Sequence, residues 1–172
     1  MMNDDTGKIT HAQAHSEDLG SVQIFDLDGR ERFRSIFQDF AGRSHAVILV
    51  YDVCNRRTFQ SLERWYKCLR QFNPNTFVVL IGHRFGDRDQ HATDRRGPPV
   101  TRQEGEEWAE QFLGRRDVFF ETACGELEPQ GTESVRHAFQ LAVDEAMRSS
   151  LRDLTRPHRA ERERPLARVS AA

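Results

Sequence analysis

The feature that most constrains this chain is an alternation of apolar runs of strand length with longer runs of helical period. Ala46-Val47-Ile48-Leu49-Val50-Tyr51 and Thr76-Phe77-Val78-Val79-Leu80-Ile81 are continuous and rich in β-branched residues. Asp117-Val118-Phe119-Phe120 is a shorter run, and Val22-Gln23-Ile24-Phe25 alternates. Unbroken runs of this kind suit strands covered on both faces, whereas alternation suits a half-buried one. Between them lie helical patterns. Phe59, Leu62, Trp65, Tyr66, Leu69 and Phe72 recur at three to four residues, with Thr58 as N-cap and Pro74 as the stop. Thr101 and Glu104 form a capping box ahead of Trp108, Ala109, Phe112 and Leu113, and Gly114 ends that helix. A last helix is expected from about Ser134, with Val135, Ala138, Phe139, Ala142, Val143 and Met147 on one face. Strands alternating with helices predict an α/β fold with a mostly parallel sheet between helical layers.

Composition narrows the function classes. The chain has 172 residues, enough for one domain, and a net charge of −2, which argues against a basic nucleic-acid binder. No apolar run reaches the length of a membrane helix, and the opening residues lack the apolar core of a secretory signal. Three scattered cysteines exclude a disulfide scaffold or a zinc finger and fit reduced thiols in the cytosol. Cys54, Cys68, Trp65 and Trp108 read as core packing. Only Lys8 and Lys67 are lysines among 25 cations. Residues 1–20 are polar with a weak edge-strand pattern, 86–99 form a polar loop, and 149–172 form an Arg-rich tail expected to be disordered.

The candidate site begins at Asp26-Leu27-Asp28-Gly29, at the carboxyl end of the first clear strand, where open α/β sheets bind ligands. An Asp there can hold Mg²⁺ through water, and a Gly lets a backbone N–H approach a phosphate. Alone, D-x-x-G is an ordinary turn. Its surroundings are more specific. Phe25 to Ile36, F-D-L-D-G-R-E-R-F-R-S-I, resembles the W-D-T-A-G-Q-E-R-F-R-S-I signature of Rab-type small GTPases of the Ras superfamily. Val50 to Phe59 resembles that family's V-Y-D-V-T-N-x-x-S-F, and Trp65 falls where Rab proteins carry a Trp. Ile81-Gly82-His83-Arg84 is similar to the approach to the guanine motif N-K-x-D, and Phe120 to Cys124 to F-E-T-S-A. The resemblance covers about residues 21–148.

The resemblance implies a small-GTPase fold, GTP or GDP with Mg²⁺, and a place in GTP-dependent vesicle traffic. It assigns the nucleotide site to Asp26, Gly29, His83, Arg84, Asp87, Ala123 and Cys124, with Asp26 toward the Mg²⁺, and the effector-reading second switch to Glu31, Arg32 and Phe33. Several positions depart from the pattern. Gly7-Lys8 is followed by Ile9 where Ser or Thr should bind Mg²⁺, and Met2 stands where the first Gly of G-x-x-x-x-G-K-[ST] should be. Lys8 to Asp26 is too short for the family's first helix, first switch and second strand. The expected fold is therefore incomplete, lacking the first strand and the phosphate loop. Arg30 replaces the water-orienting Gln and cannot accept a hydrogen bond. His83 and Arg84 replace Asn and Lys, Gly86 or Asp87 stands at the base-reading Asp, and Ala123 and Gly125 replace Ser and Lys. No Cys follows Cys124 to carry a prenyl anchor, and the seven Arg from Arg148 onward suggest at most weak contact with an anionic membrane.

These departures lead to three expectations about function. The first is a Rab-like protein without GTP binding or hydrolysis and without a cofactor, cytoplasmic or peripheral to intracellular membranes, that binds effector-type proteins. The second is a GTP-hydrolysing switch whose amino terminus is missing from this form. The third is a truncated product without function. For the fold, strands 22–27 and 46–53 are expected to pair directly in parallel, with 8–13 as an antiparallel edge beside the first. A reduced core predicts a molten or self-associating chain.

Overall fold

A computed structural model describes residues 10–16, 20–84, 97–123 and 129–155. Two strands, β1 (Thr10–Ser16) and β2 (Gly20–Asp26), form an antiparallel hairpin. A 3-10 turn at Glu31–Phe33 leads into α1 (Arg34–Ala41). There follow β3 (Ala46–Asp52), α2 (Arg56–Phe72), β4 (Phe77–Arg84), α3 (Arg102–Leu113), β5 (Phe119–Ala123) and α4 (Pro129–Thr155). The order β3-β4-β5 makes a parallel three-stranded sheet, with Leu49 opposite Leu80 and His83 opposite Thr122.

The central strand explains the layering. Val78, Val79, Leu80 and Ile81 of β4 are all buried, as their unbroken apolar run requires. Val78 and Leu80 join Leu49, Tyr51, Leu62, Leu69, Trp108 and Ala109 in a core under α1, α2 and α3. Val79 and Ile81 meet Ala138 and Ala142 of α4 on the other face. Aromatic rings tie the first layer together: Trp108 stacks on Phe112 at 4.7 Å, and Tyr66 meets both edge-on. Cys54 and Cys68 are buried free thiols in this packing. Trp65 is only half-buried, edge-on to Phe37.

Several local expectations shift. The direct parallel pairing of the strands at 22–27 and 46–53 does not form: β2 pairs with β1, and β3 is an edge strand. The segment β1 does take the antiparallel edge beside β2, in the register Ala12 to Ile24. Helix α2 starts at Arg56 with Asn55 at the cap position, three residues before the expected Thr58. Thr58 Oγ1 instead accepts the Asp52 N–H at 2.9 Å and donates to the Asn55 carbonyl at 2.7 Å, which uses its hydroxyl to close the β3–α2 turn. The strand expected at 117–120 runs from Phe119 to Ala123, because Asp117 pairs with Arg115 and the Phe119 N–H donates back to the Arg116 carbonyl in a turn. Helix α4 begins at Pro129 and continues to Thr155, so the tail expected to be disordered from 149 starts as helix. Residues 156–172 lie outside the described residues, as does most of the loop at 86–99. Phe139, expected on the apolar face of α4, is 39% exposed. The capping box of Thr101 and Glu104 and the left-handed Gly114 (φ 74°) form as the sequence requires.

Candidate functional site

The first group of expected residues sits on the segment that leaves β2. Asp26 ends the strand and is exposed. Asp28 folds the next residues into a turn: its carboxylate accepts the Arg30 backbone N–H at 3.0 Å and the Arg30 Nε–H at 2.7 Å. Those bonds hold the Asp28 carboxyl below its ordinary range. A Cβ at Gly29 would meet nothing within 4 Å, and its φ is not positive, so the fold does not demand glycine there. Arg30 thus folds back on Asp28, and its guanidinium lies 5.1 Å from the Phe33 ring centroid. Arg32 lies 4.8 Å from the same ring.

Glu31 fixes this turn to the body of the domain. Its carboxylate accepts from Arg34 of α1 at 2.7 Å and from Arg64 of α2 at 2.6 Å. Arg34 also lies 5.9 Å from the Trp65 ring centroid, and Trp65 meets Phe37 at 5.1 Å. Glu31, Arg32 and Phe33 therefore form one surface of charged groups around a half-buried ring. Arg64 was not legible as part of it, because nothing in the helical period of α2 marks one exposed Arg above its neighbours.

The second group lies at the carboxyl ends of β4 and β5. The His83 Nδ1 and the Thr122 Oγ1 share a hydrogen bond of 2.7 Å. Burial pushes the His83 imidazole below its usual pKa, and the Asp52 charge opposes that shift. Arg84 faces Glu121 at 3.6 Å, and Ala123 ends β5 in register with Arg84. Asp52 is occupied in its own turn, where Oδ1 accepts the Cys54 N–H at 2.9 Å. The parallel register, with His83 opposite Thr122, is the signal that could have paired these two from the sequence. Asp87 and Cys124 lie outside the described residues. The structure therefore brings His83, Arg84 and Ala123 together on the three-stranded sheet and leaves Asp26 at the end of a strand of a different sheet, with Gly29 and Arg30 on the segment that follows it.

A further tie closes the loop before α3. Arg56 reaches Glu104 through two bonds, at 2.6 and 3.0 Å, and donates to the carbonyls of Pro98 and Pro99. The Glu104 carboxyl is lowered to about 2, chiefly by Arg56, and burial opposes the shift. Among the described residues no group of three or more His, Cys, Asp or Glu gathers as a metal site, and no helix is long and apolar enough to cross a membrane.

A parallel sheet with helices on both faces, a D-x-x-G turn after an early strand and an F-E-T-A strand end define a small-GTPase domain that lacks some strands among the described residues. The sequence model of the Ras family matches residues 5–148. The chain belongs to that family, as a Rab-type small GTPase of the Ras superfamily. Ras-related protein RabC of Dictyostelium discoideum is 30% identical over 124 residues, 72% of this chain and 56% of RabC. Ras-related protein Rab-12 of Homo sapiens is 35% identical over 95 residues, 55% of this chain and 36% of its own length. Ras-related protein RABA6a of Arabidopsis thaliana is 41% identical over 64 residues, 37% of this chain and 28% of its own. The chain spans about half or less of the length of these curated relatives.

Proposed function

We propose that this Rab-like chain has lost GTP binding and hydrolysis and acts in membrane-traffic signalling as a nucleotide-independent protein-binding module. The observation that carries this reading is the double grip on Glu31. In switches of this chemistry a γ-phosphate and Mg²⁺ order the second switch segment. Here Arg34 and Arg64 hold Glu31, and Asp28 holds Arg30, so side chains supply that order. The partner would be an effector-type protein docking over Glu31, Arg32 and Phe33.

The nucleotide positions support the same conclusion. Arg30 has no lone pair with which to orient a water, and its guanidinium is turned to Asp28. His83 shares its Nδ1 bond with Thr122, and Arg84 faces Glu121, so both positions make contacts internal to the sheet end. These residues do not fit a guanine nucleotide with Mg²⁺. A cytoplasmic protein, peripheral at most to intracellular membranes through its Arg-rich tail, follows from this reading.

The greater length of the relatives favours a second reading, a GTP-hydrolysing switch of which this chain is a part. An upstream coding segment with G-x-x-x-x-G-K-[ST] would support it, and Arg30 would then predict slow intrinsic hydrolysis. Titration of the chain with fluorescent GTP and GDP in Mg²⁺ separates the two. The module reading expects no saturable signal. Micromolar or tighter binding at one-to-one stoichiometry would overturn it.

A further inference from the structure

Asp52, His83 and Thr122 stand in one row across the carboxyl ends of β3, β4 and β5, because the parallel register sets His83 beside both of the others. Residues in register point to the same face of a sheet, and Ile48, Ile81 and Phe120 place that face under α4. Thr122 is only 2% exposed there. Its hydroxyl makes one hydrogen bond among the described residues, the 2.7 Å bond to the His83 Nδ1. A buried hydroxyl has a hydrogen to place as well as lone pairs. Were the Nδ1 to carry a hydrogen, it would donate to the Thr122 oxygen, and the hydroxyl's own hydrogen would stay buried without an acceptor. The bond is satisfied when the hydroxyl donates, the Nδ1 accepts and the ring hydrogen sits on the Nε2.

That assignment makes the bond conditional on the charge of the ring. A proton from solvent adds to the Nδ1 lone pair, forms an N–H bond there and removes the acceptor that the hydroxyl uses. Among the described residues, the neighbouring charges do not replace it. Burial disfavours the charged ring, and Asp52 of β3 favours it less strongly. The Asp52 Oδ1 already accepts the Cys54 N–H. Arg84 and Glu121 lie 3.6 Å apart on the opposite face, each one residue from the row along its strand. At the start of α4 the titratable groups are Glu133, Arg136 and His137. All three are exposed, with Glu133 and His137 3.6 Å apart.

We infer that the His83–Thr122 bond is an acid-sensitive latch between the carboxyl ends of β4 and β5, closed by the neutral ring through its Nδ1 and opened when that nitrogen takes up a proton. The latch holds the end of β5 in register with β4 at neutral pH and releases it on acidification. Its contribution is full above the ordinary imidazole value of 6.5 and is lost as the pH falls below that toward the lower folded value. The inference does not depend on whether the chain binds nucleotide.

Heteronuclear NMR of the histidine rings in the full chain, titrated from about pH 8 to about pH 5, tests it. The His83 signals are those missing from His83→Asn. At neutral pH the Nε2–H form is expected, with a titration midpoint below 6.5. Thr122→Val removes a bond that only the neutral ring accepts, so the midpoint should rise by about half a pH unit. Thr122→Ser keeps the hydroxyl and should restore the lower midpoint. Amide exchange at residues 120–123, corrected for the intrinsic rate at each pH, should quicken about threefold as the ring titrates. It should stay level in His83→Asn, whose side-chain oxygen accepts at every pH. An Nδ1–H ring at neutral pH, a midpoint that holds or falls in Thr122→Val, or acid-quickened exchange that persists in His83→Asn would overturn the proposal. The ring form is read on the unsubstituted chain, so it decides the matter even if Thr122→Val does not fold.

Discussion

The β3–β4–β5 sheet and strand β2 of the hairpin both carry apolar residues, but they bury them to different degrees. In β4 five consecutive residues, Val78 to Gly82, are buried because helices cover both faces. In β2 the residues Val22 to Asp26 are half-buried or exposed, and Phe25 keeps 40% of its surface open beside Phe40. Apolar content sets what a strand can bury, and its neighbours set what it does bury. The sheet half should therefore resist change and the hairpin half should tolerate it.

The largest test of that contrast is a pair of truncations. Leu80→Ala removes a fully buried side chain from the central strand and should cost about 3 kcal/mol in urea unfolding. Ile24→Ala in β2 should cost about 1 kcal/mol, because Ile24 is only half-buried. Equal losses would break the comparison.

Glycines give a second, smaller contrast. A Cβ at Gly105 would lie 2.5 Å from the Phe119 Cζ and 2.7 Å from the Tyr51 hydroxyl. Overpacking there should outweigh the helix-propensity gain of about 1 kcal/mol, so Gly105→Ala should lose about 1–2 kcal/mol. Gly29→Ala meets open space and should stay within about 0.5 kcal/mol. Paired thermal melts decide it.

Ion pairs provide the smallest pair of effects. The Glu104 carboxyl is lowered to about 2 from an ordinary 4.5, so it takes up its proton later in the folded state than in the unfolded one. Its contribution is full above pH 4.5 and is lost as pH falls toward 2. Discounted for partial exposure, that is about 1–2 kcal/mol. Glu104→Gln should flatten this part of the stability-versus-pH curve. Glu31→Ala breaks two exposed pairs and should cost only about 0.5 kcal/mol. Its sharper readout is faster amide exchange at residues 31–34, and unchanged exchange would remove the reason for treating that surface as prearranged.

The sequence conveyed the layers but not the pairing between them. Val78 to Ile81 could be read as doubly covered from composition alone, and Thr101 with Glu104 as a cap from spacing alone, because both depend on local rules. Which strand lies beside β3 depends on long-range partners, and a strand's alternation is silent on that. Thr58 failed as a cap for a similar reason: its hydroxyl had a competing donor in Asp52 across the turn. At the candidate site, Glu31, Arg32 and Phe33 were legible through a contiguous motif. Arg64 and Thr122 were not, because each matters only through a neighbour 33 or 39 residues away.

The Asn73 side chain spans the gap between two helices. Its amide donates to the carbonyl of Ala41, at the exit of α1, and to that of Ser44, just before β3. Asn73 itself sits at the end of α2. One side chain thus ties the rear of α1 to the rear of α2, while Glu31 joins the front of α1 to the middle of α2. Two ties of this kind bias the face toward one contour. On the proposed module reading, a visiting protein would meet the same contour at every encounter, and its occupancy would follow abundance instead of a timer.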